Sequence, residues 1–168
     1  MINYIYYPNT QETPKHLIDT INAFKEKADI IDSNKYELKS NEVLNKFIDS
    51  FKLLGYKIES SKSSKDKISI PVLYGLNDKI IKKFEADAYN EDTKTVVEVE
   101  AGRGVLNNQF LKDYFEACVM LNVEYCVIAI RNTYRNRKDF EEVKKFFDVL
   151  YGSNKIKTDL KGLLIIGY

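Results

Sequence analysis

From residue 68 to residue 101 the apolar spacing of this chain shifts from a helical period to a strand-like one. Side chains alternate across a strand, so the pattern predicts strands over 68–74, 80–89 and 94–101. The polar stretch Asn90-Glu91-Asp92-Thr93-Lys94 separates the last two and predicts a hairpin between them. With the turn centred on Asp92-Thr93, Asp87 faces Glu98 and Glu85 faces Glu100. These four acids then share one face with Val96. Phe84, Ala86, Ala88, Val97, Val99 and Ala101 form the other. A one-residue slip would exchange the two faces.

Acids on one sheet face are a physical problem. Opposed residues have Cβ atoms ~4.5–5.5 Å apart, and like charges at that spacing destabilise a hairpin. Full solvation of the face, or lysines from elsewhere, would relieve the repulsion. A divalent cation between the carboxylates would also relieve it. Hard cations such as Mg²⁺ are held by one or two carboxylates plus substrate phosphate oxygens. The run Val96-Val97-Glu98-Val99-Glu100-Ala101 is otherwise apolar, as in a central strand, which favours the cation.

Helices are expected on both sides of this region. Thr13-Pro14 opens one, with Leu17, Ile21, Phe24 and Ala28 at helical spacing. A second starts near Ser40 or Asn41, carries Val43, Leu44, Phe47, Ile48, Phe51 and Leu54, and ends at Gly55. A third is expected over 107–121, with Phe110, Leu111, Tyr114, Phe115, Cys118 and Leu121 inward. A strand follows at 123–131, a helix at 139–151 with Phe140, Val143, Phe146, Phe147 and Leu150 inward, and a last strand at 162–168. The stretch SSKSSKDK, 60–67, reads as a polar loop that is either simply solvated or turned to a nucleic acid. The order is α, α, β-β-β, α, β, α, β. It predicts a single α/β domain over 1–168, with 1–39 as an N-terminal helical extension and 41–131 as the core.

Several chemistries are excluded. The only histidine is His16, so a histidine-rich zinc centre and a Ser-His-Asp triad lack their parts. No Gly-rich phosphate loop is present, so no nucleotide cofactor is expected. Cys118 and Cys126 sit in apolar surroundings and read as free thiols of a reducing compartment. No signal sequence or membrane-length apolar stretch is visible, so a cytoplasmic protein without a membrane partner is expected. Lys+Arg is 26 and Asp+Glu is 25, so any attraction for an anionic partner must come from local clustering.

Asp87, then ten residues, then Glu98-Val99-Glu100 on the next strand, resembles the PD-(D/E)XK nuclease superfamily. The expected order over 41–131 matches its α-β-β-β-α-β core with a mixed sheet flanked by helices. The Glu-x-Glu form resembles the BamHI and BglII groups of type II restriction endonucleases. Two features depart from the family pattern. Ala86 stands where the family has Pro, and Glu100 stands where it usually has Lys. The resemblance implies Mg²⁺, with Mn²⁺ as a substitute, held by Asp87 and Glu98. Glu100 would orient or deprotonate the attacking water. Glu85 is a further candidate ligand. Glu42, early in the second helix, is a supplementary one, or equally an acid favoured by the helix dipole.

Candidate DNA contacts flank these acids. Arg103, between two glycines, is placed either to contact a phosphate bidentately or to sit in an exposed turn. Asn108 and Gln109 open the next helix, where they cap it or approach a phosphate. Arg131, Arg135 and Arg137 follow the next strand with Tyr134 and Lys138, a composition suited to phosphates and base edges. The segment MINYIYYPNTQ either packs on the domain or reaches a groove. The reading is a Mg²⁺-dependent endonuclease of double-stranded DNA, of the type II restriction class. A palindromic site would make it a homodimer. Two alternatives keep the fold: a catalytically inactive DNA- or protein-binding module, and a phage or repair nuclease.

Overall fold

The structure, a computed structural model, describes residues 1–59, 67–102 and 104–168. The expected polar loop therefore lies almost wholly outside the described residues. The strands are β1 (Asn3–Tyr7), β2 (Lys57–Ile58), β3 (Ile68–Tyr74), β4 (Ile80–Ala86), β5 (Ala88–Asn90), β6 (Thr95–Glu100), β7 (Tyr125–Ile130) and β8 (Gly162–Gly167). The helices are α1 (Lys15–Glu26), α2 (Ala28–Ile31), α3 (Ser40–Asn45), α4 (Ile48–Leu53), α5 (Gln109–Val119) and α6 (Asp139–Ser153).

Among the described residues the main sheet runs β1-β8-β7-β6-β5-β2, and β3-β4 form a separate two-stranded ribbon. β6, β7 and β8 are parallel, and β1, β5 and β2 are antiparallel to their neighbours. The parallel steps need crossovers, which α5 and α6 supply. β7 and β8 are apolar on both faces, as strands covered by helices on each side must be, whereas β6 is apolar on one face, with Thr95 within it, and carries Glu98 and Glu100 on the other. One face packs Val97, Val99, Val127, Ala129, Leu164 and Ile166 under α1, α3 and α4. The other packs Val96, Cys126, Ile128, Ile130, Leu163 and Ile165 under α5 and α6.

The N-terminal residues are more than a helical extension. Asn3–Tyr7 completes the sheet edge by pairing with β8 from Asn3↔Gly167 to Tyr7↔Leu163. The expected second helix is broken at Lys46-Phe47 into α3 and α4, although its stripe Val43, Leu44, Phe47 and Phe51 is buried as a unit. Gly55 ends it in a left-handed conformation, φ 83°.

The hairpin keeps the expected register, with Ala88↔Val97, Tyr89↔Val96 and Asn90↔Thr95. It stops there. The strand expected over 80–89 is interrupted at Asp87, and its first part leaves the main sheet to pair with β3. On α5 the buried stripe is rotated relative to the expected one. Phe110, Asp113, Tyr114 and Ala117 are buried, while Phe115 is 61% exposed.

Candidate active site

β6 carries Glu98 and Glu100 toward its C-terminal end, on the face it shares with Val96 and turned to α5. The carboxyl ends of strands are where open α/β sheets place ligands. Asp87 sits at the point where the chain passes from the ribbon to the main sheet. Its Oδ2 accepts a hydrogen bond from the Val99 amide at 2.8 Å, and its own carbonyl accepts from the Glu59 amide at 2.8 Å. Beyond the last ladder pair, the Asp87 side chain thus takes the position of the departed strand. That bond fixes Asp87 beside Glu98 and Glu100.

A fourth acid, unmarked in the expected site, enters from α5. Asp113 is 5% exposed, its Oδ1 accepts from Gln109 Nε2 at 3.1 Å, and its Oδ2 has no partner. The sequence did carry a signal for it. Asp113 lies three residues after Phe110 and four before Ala117, inside the buried stripe of its helix.

The electrostatics follow from this crowding. Burial pushes Asp87 up to about 6, against the opposing pull of the Val99 amide. Glu98 is raised well above the ordinary carboxylate range by burial, and then by Asp87, Asp113 and Glu100. Burial and then Asp113 raise Glu100 to about 9, and burial raises Asp113. Lys112, paired with Glu116 at 3.1 Å, borders the cluster and offsets only part of its charge.

Other expected site residues lie elsewhere. Glu85 is on the ribbon, paired opposite Ser69 rather than Glu100, and forms an ion pair with Lys67. Glu42 is exposed and its Oε2 accepts the Lys39 amide at 2.6 Å, the capping role open to it from the sequence. Arg131 is 4% exposed and donates to the Leu38 carbonyl, so it braces the fold from within. Arg135 is exposed over the Tyr134 ring at 5.3 Å, with Arg131 5.2 Å from the same ring. Arg137 binds Glu142 at 2.7 Å. Asn108 is exposed in a left-handed conformation at the start of α5, and its side chain does not cap the helix. Gln109 reaches Asp113 instead of solvent. Arg103 lies outside the described residues. A groove of about 490 Å³ opens where the chain leaves β6, lined by Leu38, Lys39, Ala101, Gly102, Arg131 and Tyr134 but by none of the four acids.

The donor set is all oxygen, which suits Mg²⁺ or Mn²⁺ better than softer metals. The orphaned Oδ2 of Asp113 and the crowding of four acids fit a divalent cation. Among the described residues, however, no three of these side chains already close around one ion position.

No family model and no curated protein matches the sequence. Among solved structures the chain is similar to free BglII, a type II restriction endonuclease. The TM-score is 0.52 at 12% identity, over 99% of this chain and 78% of that one. The chain therefore has a restriction-endonuclease-like fold, a mixed central sheet flanked by helices. Among the described residues no helix is long and apolar enough to cross a membrane.

Proposed function

We propose that this chain is a Mg²⁺-dependent endonuclease that hydrolyses phosphodiester bonds of double-stranded DNA, as a type II restriction enzyme. The observation that carries the reading is the convergence of Asp87, Glu98 and Glu100 at the carboxyl end of a central strand. Burial and mutual repulsion make that arrangement unfavourable in itself. When bound, Mg²⁺ offsets charge on the phosphate oxygens and lowers the pKa of a coordinated water. Asp87 and Glu98 would hold the cation. Glu100 orients the attacking water or takes its proton. Arg135, exposed over the Tyr134 ring that lines the groove, and the exposed Lys138 contact phosphates. A homodimer would place one such site on each strand of a palindrome.

Cleavage of plasmid DNA tests this. Discrete fragments with Mg²⁺ or Mn²⁺ are expected, lost in Asp87→Ala and Glu98→Ala. Smearing or nicking alone would point to a phage or repair nuclease. Two observations favour a binding module of the same fold: Glu100 stands where the family usually has Lys, and among the described residues the acids do not close on an ion. DNA binding by the folded chain without cleavage under any metal would establish that second reading.

A further inference from the structure

Asp113 faces the sheet from α5, opposite the Glu100 carboxylate. Gln109 fixes its Oδ1, and the buried Oδ2 is left without a donor. Two ionised carboxylates are both acceptors, so they stand together only with a proton or a cation between them. The helix has not simply misplaced a polar residue. Turning α5 toward the stripe that hydrophobicity alone would choose would carry Phe115, now 61% exposed, inward and Asp113 outward. The fold does the reverse.

The approach to the pair is also shaped. A Cβ on Gly104 would meet Glu100 Cβ at 2.9 Å and Glu100 Oε2 at 3.1 Å. The Gly104 carbonyl accepts the Gln109 amide at 2.7 Å. The glycine that closes over Glu100 is thus bonded to the first residue of the helix carrying Asp113. These contacts set both carboxylates against each other from two elements.

We propose that Asp113 is a further acid of the cation site and, with Glu100, binds a divalent cation beside Asp87 and Glu98, directly or through a bound water. This rests on the nuclease reading above and extends it to a helix residue. Gln109 acts as the positioning residue, holding Oδ1 so that Oδ2 points to the cation.

Mn²⁺ binding to the full chain, followed by titration calorimetry without DNA, tests it. Asp113→Asn should weaken Mn²⁺ by about tenfold or more while the circular dichroism spectrum and the cooperative melt persist. Unchanged affinity in Asp113→Asn, beside a loss in Asp87→Asn, would overturn the role of Asp113 and leave the nuclease reading intact. No Mn²⁺ binding by the wild type would overturn both. Should the amide variant not fold, ¹³C-labelled wild type decides alone. Mg²⁺ should move the Asp113 Cγ resonance; an unmoved resonance, while that of Asp87 shifts, overturns the proposal.

Discussion

β6 and β7 lie side by side in parallel register, and at the same level of the sheet Glu98 stands against Ile128 and Glu100 against Ile130. The two isoleucines are essentially fully buried beneath α5 and α6. The two glutamates occupy the same layer on the next strand. At these positions β7 gains stability from apolar burial, and β6 does not. A chain that places acids where its neighbour uses isoleucine sacrifices stability at those positions, and the proposed cation site would recover it.

The difference between the strands can be broken from either side. The largest effect should come from β7. Ile128→Ala should destabilise the fold by about 2–5 kcal/mol, read from the denaturant midpoint, because the tightly packed layer cannot fill the cavity.

On the acidic side the effect is a pH dependence. Asp87 holds its proton up to about 6 in the fold against an ordinary 3.8. The native chain then binds the proton more tightly than the unfolded one. That stability is fully present below 3.8 and is lost as pH rises through about 6. For Asp87 alone the loss is about 3 kcal/mol. Glu98 and Glu100, raised further, carry the decline to higher pH. Unfolding of the metal-free wild type from pH 4 to 8 should show a falling midpoint. Asp87→Asn should flatten the first part of that fall; an unaltered slope would place the titration elsewhere.

A smaller effect is expected where the backbone meets Glu100. Gly104→Ala forces its Cβ against Glu100 and should cost about 1–3 kcal/mol, with weaker Mn²⁺ binding. The smallest lies at the rim. Arg135→Ala should leave the melt unchanged and reduce the salt dependence of DNA binding by about one phosphate contact, measured by fluorescence anisotropy.

The alternation of β6 and the turn chemistry of Asn90–Lys94 made the hairpin and its register legible, because both are local signals. So were α6, β7 and β8, whose apolar runs are long and well bounded. The departure of β4 to pair with β3 was not legible. No local signal at Ala86-Asp87 marks the change of partner, and it is this change that separates Glu85 from Glu100. β1 was hidden for a related reason: its partner is at the far end of the chain, and nothing nearby fixes its pairing. Arg131 looked like a surface cation because the carbonyl that holds it, at Leu38, is remote in sequence. Asp113 was legible in principle. Its place in the helical stripe was obscured by Phe115, which hydrophobicity alone turns inward.

The most direct test is the thermal midpoint of the metal-free wild type at pH 8, with and without Mg²⁺, beside Asp87→Asn and Glu98→Gln. A ligand that binds only the native state stabilises it by mass action, about 2.7 kcal/mol at one hundred times its dissociation constant. Mg²⁺ should therefore raise the wild-type midpoint, and both variants should start higher and respond little. A wild type indifferent to Mg²⁺, with variants no more stable than it is, would contradict the claim that β6 trades stability for a cation site.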